Sequence, residues 1–395
     1  MLSRLRFTGC GTGGRGFTPT IYPARRIENI GGGVDGPVCC LSLLLCGQSG
    51  LHGGVGPRFD LSRVPGGHIA DPEFMALLPD KWGNPVNGLG ESEVRRPDVV
   101  WWATDVEKAP FGAAQKWFYT KEVPGPELIN ERAKRQEILA TPLPEVADNT
   151  QDRSPADWTL ALERFVTAGD CERVGVTRMQ PEWAYQGTHV PFSNVIMLAV
   201  QHDYEKLKSA PDQVCGTDVS RQYNRAASAA KKIASWLREQ GWDAKPVTGP
   251  MVGDILLIPP ALKCGFGELG KHGSIINPEF GSAFRLAAVL TDAPCEPTPE
   301  REFGIDDFCS RCRVCENACP PFAIKAEKQM VRGAKKWYVD FDKCIPYFAE
   351  TSGCAICIAV CPWSRPGVGP NLAEKLARRA KRKHTEQVIE AKEQP

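Results

Sequence analysis

Eight cysteines crowd between Cys309 and Cys361, and their spacing constrains this chain more than any other feature. The first run is Cys309-x2-Cys312-x2-Cys315-x3-Cys319, followed by Pro320. The second is Cys344-x9-Cys354-x2-Cys357-x3-Cys361, followed by Pro362. Three cysteines at short gaps wrap one face of an iron–sulfur cubane, and the fourth, carried on into a helix, ligates the other cluster. By that crossing, one cluster takes Cys309, Cys312, Cys315 and Cys361, and the other takes Cys344, Cys354, Cys357 and Cys319. Zinc prefers isolated cysteine pairs and has no need of two quartets that each end in Cys-Pro. The expectation is two [4Fe–4S] clusters that move electrons singly.

The first run matches the bacterial ferredoxin pattern C-x2-C-x2-C-x3-C-P. The nine-residue gap after Cys344 departs from it and carries Pro346, Tyr347 and Phe348, so a longer loop should cover that cluster. The other cysteines, eight of the 16, show no comparable spacing and read as free thiols. In 395 residues such a set suits a reducing compartment better than a disulfide framework. The net charge of +1 gives no general attraction to nucleic acid or to an anionic membrane. No run of eighteen apolar residues appears, so no transmembrane segment is expected.

Arg25-Arg26 resembles a twin-arginine export signal, but Glu28 and Asp35 interrupt the stretch after the pair, and the apolar run at 38–46 is short. The expected location is therefore cytoplasmic, with export by a twin-arginine route and membrane association as the alternative. Residues 1–57 are Gly-rich and expected to be a disordered N-terminal segment. Residues 58–150 hold many prolines and scattered aromatics (Trp82, Trp101, Trp102, Trp117, Tyr119) and read as an irregular segment wrapping a core, with a short helix at 131–139.

From 151 to 300 the pattern is mixed α/β with its own core. Ser154-Pro155-x-Asp157 reads as an N-cap, a Pro at the first helical position and an acidic third residue, with a stop at Gly169. Residues 171–179, 194–200 and 254–258 read as strands, the last ended by Pro259-Pro260. Ala226, Ala227, Ala230, Ile233, Ala234 and Leu237 recur at helical steps, which predicts a helix over 221–240 stopped by Gly241. Pro294, Pro297 and Pro299 mark a linker at 291–304. The cluster module should occupy 301–370, and a charged tail, starting as a solvated helix, 371–395.

A two-cluster ferredoxin needs far less chain than this, so something upstream should use the electrons. Gly265, Gly267, Gly270 and Gly273 recur in a short stretch with Lys271 and His272, and glycines there could let backbone approach a large cofactor. The stretch "GFGELGKHGSIINPEFGSAFRL", then "FGIDDFCSRCRVCENACPPFAI", "KWYVDFDKCIPYF" and "GCAICIAVCPWSRP" resemble reductive dehalogenases, cobalamin- and iron–sulfur-dependent enzymes that remove halide from organohalides. "PEWAYQGTHVPFSNVIMLAVQHDYEKLKSAP" is also similar to that family, and the resemblance covers about residues 155–370. It is nearest to the cytosolic, non-respiratory branch.

The resemblance implies an α+β fold, with a nitroreductase-like cobalamin-binding domain followed by a bacterial two-[4Fe–4S] ferredoxin-like module. It implies cobalamin bound without a histidine below the cobalt, and none of the six His sits in an Asp-x-His-x-x-Gly motif. It implies a Tyr that protonates the substrate carbon, matched here by Tyr223, and a basic partner near Arg285. Gly265, Gly267, Gly270, Lys271, His272 and Gly273 are the candidate cofactor contacts. Some relatives carry an Asn in a Ser-Gly-Asn-like turn where this chain has Val247-Thr248-Gly249-Pro250. The implied partners are an organohalide and an external ferredoxin- or flavodoxin-type electron donor, with no nucleic acid. The cysteine spacing is shared with epoxyqueuosine reductases, cobalamin enzymes of tRNA modification, which gives one alternative. A corrinoid-free electron-transfer protein is the other.

Overall fold

The computed structural model describes residues 68–122 and 124–393, all within the unit that spans residues 57–395. The expected disordered segment at 1–57 and its arginine pair lie outside the described residues. In chain order the helices before the sheet are α1 (Pro72–Met75), α2 (Gly83–Val86), α3 (Gly112–Thr120), α4 (Pro126–Ala140), α5 (Pro155–Ala161) and α6 (Glu163–Thr167). The sheet region holds β1 (Arg173–Arg178), β2 (Asn194–Gln201), α7 (Tyr204–Leu207), α8 (Gln213–Glu239), β3 (Ala244–Val247), α9 (Ile258–Lys263), β4 (Glu268–Leu269), β5 (Ile275–Ile276) and β6 (Phe284–Thr291). The cysteine-rich part holds α10 (Ile305–Arg311), α11 (Val314–Asn317), β7 (Gln329–Val331), β8 (Ala334–Lys336), α12 (Phe341–Glu350), α13 (Ile356–Ala359) and α14 (Val368–Glu393).

The main sheet is antiparallel with strand order β1-β2-β6-β3. β2 reads as one apolar run because both of its faces are covered. Ile196, Leu198 and Val200 meet Ala226, Ala230, Ile233 and Leu237 of α8, with Trp158 and Phe165 from α5 and α6 behind them. Val195, Met197 and Ala199 pack on the opposite face with Trp183, Ala261, Phe266 and Phe280. Trp158 is fully buried and Trp236 crosses it at 5.6 Å, so each supplies a large share of apolar area to this layer.

The start of α5 bears out the capping signal: the Ser154 side chain accepts from the Asp157 backbone N–H at 3.2 Å. The expected single helix breaks at Leu162, which separates α5 from α6. α8 begins eight residues earlier than the periodicity indicates, at Gln213, and ends at Gly241 with φ 84°. α4 is likewise longer than its expected core of 131–139.

Two expectations are corrected. Residues 254–258 are not a strand: Ile255 makes a single bridge to Ala184, and Ile258-Pro259-Pro260 opens α9. Proline lacks the donor that a strand needs but fits the first turn of a helix. Nor is 291–304 a linker running free of the domain, though Glu296, Pro297 and residues 299–302 are exposed. Its first residue ends β6, Ala293 and Cys295 are fully buried, and Thr298 exchanges hydrogen bonds with Val176 along the free edge of β1. Prolines and backbone contacts cover a strand edge there instead of joining two bodies.

Residues 68–120 place Phe74, Val100, Trp101, Phe111 and Ala114 in a cluster with Ile345 and Ala349 of α12. Asp342 of α12 accepts from the Gly83 backbone N–H at 2.6 Å, and Asn84 reaches Asp340 at 2.7 Å. The early chain is thus pinned to the cysteine-rich part.

Candidate active site

Electrostatic neighbours follow the expected sets for Cys361 and Cys344, whereas Cys357 neighbours members of both. The Cys361 thiol is coupled electrostatically to Cys309, Cys315 and Cys312. Cys344 is coupled to Cys354 and Cys319, and Cys357 to Cys354, Cys344, Cys315 and Cys319. Helix geometry produces the crossing: Cys309 lies on α10 and Cys315 on α11, and Cys319 comes after α11 and turns toward Cys354 and Cys357. The Ala323 backbone N–H donates to Cys319 Sγ at 3.3 Å, a contact that also suits a cluster thiolate.

Burial pushes the free thiols up, to about 11 for Cys309 and about 12 for Cys315, Cys344 and Cys354, and further for Cys357 and Cys361. Thiols this protonated are poor ligands until a cation offsets the burial, so metal and ligand must ionise together. Among the described residues, no three His, Cys, Asp or Glu side chains close on a single ion. A zinc ion binds each sulfur at about 2.3 Å and would draw its thiolates closer than a cubane does. The eight thiols are the candidate ligands of two cubanes.

A cavity of about 720 Å³ opens between α3, α4, α8 and the loop after α12, because the residues that follow Cys344 continue as helix to Glu350 and not as the expected loop. Aromatic walls come from Trp102, Phe118, Tyr119 and Phe348, and Ser352, Gly353 and Ala355 extend it toward the second cysteine set. A second cavity of about 350 Å³ shares the 247–253 loop and reaches Ser274, Ile275, Ser282 and Ile358. Tyr223 and Arg285 line both. Tyr223 stands on α8, and Arg285 on β6 holds its guanidinium 5.2 Å from the Tyr223 ring centroid. The structure thus brings together the two residues that lie 62 positions apart in the chain. The Tyr223 hydroxyl makes no hydrogen bond among the described residues.

The glycine-rich stretch behaves differently. It forms the β4–β5 hairpin, and its glycines close on the chain itself: Gly265 against the Pro299 carbonyl, Gly267 against that of Ile276, Gly270 against the Ile276 side chain, Gly273 against Val339. Lys271 is buried 3.7 Å from Glu316 and 5.1 Å from the Trp337 ring centroid. His272 is buried with Nε2 3.1 Å from Ser282 Oγ, and burial pushes it down to about 4. None of these six lines either cavity; the hairpin contributes Ser274 and Ile275 instead.

Sequence reasoning missed Arg135, Tyr119 and Trp102. Arg135 on α4 donates to the carbonyls of Tyr223 (3.1 Å), Thr248 (3.3 Å) and Gly249, so it clamps the 248–249 turn to α8. Burial pushes the Tyr119 phenol up to about 12, with Arg132 and Arg135 opposing it. No spacing rule links α4 to so distant a turn, so the sequence held no signal for Arg135.

The donor set and the space also fit a large cofactor. Both cavities meet at the half-buried Arg285, whose buried Nε has no partner, beside backbone of the 247–253 loop and close to the cysteine sets. None of the described histidines lines either cavity, so no imidazole is placed as a metal ligand there.

Comparison with known proteins places these features. Residues 308–364 match the family model described as a 4Fe-4S dicluster domain. A tetrachloroethene reductive dehalogenase of Dehalobacter restrictus is 33% identical over 217 residues, covering 52% of this chain and 39% of its own length. The solved catabolic reductive dehalogenase NpRdhA, in complex with 3-bromo-4-hydroxybenzoic acid, superposes with a TM-score of 0.62 at 21% identity over 80% of this chain and 46% of that one. A reductive dehalogenase structure described as suggesting a mechanism for B12-dependent dehalogenation also gives 0.62 at 21% identity, over 80% and 46%. The chain therefore spans about two fifths of the length of the curated relative and under half of the solved ones. Among the described residues, no helix is long and apolar enough to cross a membrane. In sequence over half its length, and in a mixed α+β fold with a 4Fe-4S dicluster domain at 308–364, this chain is similar to the reductive dehalogenases.

Proposed function

We propose that this protein is a corrinoid- and iron–sulfur-dependent reductive dehalogenase. The observation that carries the reading is the meeting of Tyr223 and Arg285 at the junction of two cavities that also reach the cysteine-rich loop. Cys309, Cys312, Cys315 and Cys361 would hold one cluster, and Cys344, Cys354, Cys357 and Cys319 the other. A bound corrinoid would supply the reduced metal at which the carbon–halogen bond is cleaved. Replacing halogen by hydrogen takes two electrons and one proton and releases halide.

Tyr223 supplies that proton from its hydroxyl, which no protein group engages among the described residues. Arg285 lies over the ring and sets a positive charge beside the donating group. Arg135 keeps the Thr248-Gly249 turn against α8 and so fixes the wall behind the ring. Trp102, Phe118, Tyr119 and Phe348 exclude water and give the organohalide an apolar seat. Within this reading residues 151–300 form the catalytic part, 301–370 the cluster part and 371–395 a charged tail, and residues between Trp102 and Leu139 roof the cavity.

The electron donor is a separate ferredoxin- or flavodoxin-type carrier, and the location is the cytoplasm.

The test is anaerobic purification with cobalamin supplied, then iron and corrinoid analysis and an assay of halide release from brominated phenols with a chemical reductant. About eight irons, one corrinoid and released bromide are expected. Iron without corrinoid, even after reconstitution, would leave an electron carrier. Iron and corrinoid with turnover only on epoxyqueuosine-containing tRNA would transfer the chain to the tRNA-modifying alternative.

A further inference from the structure

The residue just after β2 and a carboxylate of α8 form a buried hydrogen-bonded pair that dehalogenation by Tyr223 does not call on. His202 Nδ1 lies 2.7 Å from Asp218 Oδ2, and both side chains are 1% exposed. His202 Nε2 is buried without a hydrogen-bond partner, and so is Arg285 Nε. The sheet register sets these two orphans side by side. Val200 pairs with Arg285, and the His202 backbone N–H donates to the Ala283 carbonyl at 2.8 Å. Residues two apart on a strand share a face, as do residues directly opposite on neighbouring strands. His202 and Arg285 are therefore diagonal neighbours on the face covered by α8, the helix that carries Asp218 and Tyr223.

The two orphans are chemically complementary. An ionised carboxylate only accepts, so beside Asp218 the neutral imidazole carries its proton on Nδ1 and presents Nε2 as a bare acceptor. Arg285 Nε–H is a donor in want of one. Arg285 also has no carboxylate partner of its own among the described residues, which is costly for a half-buried cation.

We propose that Asp218, His202 and Arg285 form a carboxylate–imidazole–guanidinium relay, in which His202 is a positioning residue that holds Arg285 over Tyr223. The role given to Tyr223 rests on the dehalogenase reading; the relay itself does not. Asp218 accepts from Nδ1–H, and Nε2 accepts from Arg285 Nε–H, directly or through one water. The carboxylate's charge thereby steadies a guanidinium that it does not touch. Gln222 donates to the other Asp218 oxygen at 3.0 Å, and Arg221 stands 3.8 Å from that oxygen, so Asp218 is fixed from both sides. Burial pushes His202 down to about 4 against the pull of Asp218, and Arg285 adds to the depression. The imidazole therefore stays a neutral acceptor at neutral pH.

The experiment uses holoenzyme with oxidised clusters, labelled with ¹⁵N in arginine and histidine. The wild type should show His202 as the Nδ1–H tautomer and a slowly exchanging Arg285 Nε–H, assigned by its loss in Arg285→Lys. In His202→Leu that proton should exchange roughly tenfold faster or more, as for a donor that has lost its partner. His202→Gln, whose amide oxygen can replace Nε2, should restore the slow exchange. Halide release should change in parallel, with kcat falling roughly ten- to a hundredfold in His202→Leu at unchanged KM and recovering in His202→Gln. A wild-type His202 in the Nε2–H tautomer overturns the relay with no variant needed, even if His202→Leu does not fold. Unchanged Arg285 exchange in a folded His202→Leu overturns it as well. The resonance readouts need no turnover, so an intact relay in a protein that releases no halide would overturn the dehalogenase reading and leave the relay standing.

Discussion

The cysteine-rich part and the cavity at Tyr223 are built by opposite means. In the first, eight candidate ligands come from a stretch of about fifty residues threaded on helices of four to ten residues, and the last thiol, Cys361, neighbours the first run. In the second, the lining comes from α3, α4, α8, the 247–253 loop, β6 and the loop after α12. Covalent spacing fixes the first arrangement, whereas the second depends on the whole fold placing distant side chains together. A single substitution should therefore damage the two regions in different ways.

The largest effect belongs to the ligands. Cys357→Ser should cut iron from about eight to about four per chain, since one cubane loses a thiolate. Halide release should disappear with it. Iron analysis and the reduced-state electron paramagnetic resonance spectrum check this, and an unchanged iron content would break the assignment of Cys357 to a cluster. Tyr223→Phe should be the mirror image. Removing a positioned general acid costs roughly 10²–10⁴ in rate, while iron and corrinoid stay at wild-type levels. A variant that loses iron as well would show that the cavity and the clusters are not separable.

Legibility in the sequence divides along the same line. Cys319 is readable as the ligand that crosses because within the three residues after Cys315 the chain has completed α11, a consequence of local geometry. Ser154 and Gly241 were readable as helix ends for the same reason. Tyr223 and Arg285 were reached through resemblance, since nothing in their spacing tells that β6 lies under α8. Arg135 was out of reach altogether because its partners, the carbonyls of Tyr223, Thr248 and Gly249 and the Thr248 hydroxyl, lie on α8 and a distant turn, and any residue supplies a carbonyl. The glycine-rich stretch erred in the other direction. Its glycines answer to contacts inside a hairpin, and repetition alone does not tell a close approach of chain to chain from one of chain to cofactor.

Acid should strain the hairpin side of the molecule next. His272 is held at about 4 by burial, below the ordinary value of 6.5 that it regains on unfolding. The unfolded chain therefore binds more protons between those values, and stability falls as pH drops from 6.5 towards 4. One fully expressed shift of this size is worth about 3 kcal/mol. His202, also held at about 4, acts in the same direction. Denaturant midpoints measured between pH 7 and pH 4.5 should slope downward, and His272→Gln should flatten part of that slope. A slope unchanged by the substitution would place the acid sensitivity elsewhere.

The smallest effect tests the wall behind the phenol. Gly249 has φ 46°, and a Cβ built there would lie 3.1 Å from Cε1 of Tyr223. Gly249→Ala thus adds two burdens at one position. A non-glycine residue in the left-handed region costs about 1 kcal/mol or somewhat more, and the new methyl presses on the ring that faces the cavity. Arg135 clamps the same turn through the Gly249 carbonyl, so the turn cannot retreat without loosening that contact. The ring is the softer partner and should tilt away from Arg285. Halide release should fall by roughly tenfold, with iron and corrinoid retained and a modest drop in unfolding midpoint. If the midpoint drops and the rate per folded enzyme does not, the turn is scaffolding and the phenol tolerates displacement. If the rate drops with the midpoint unchanged, the turn sets the position of Tyr223, and the cavity is as sensitive to its wall as the clusters are to their ligands.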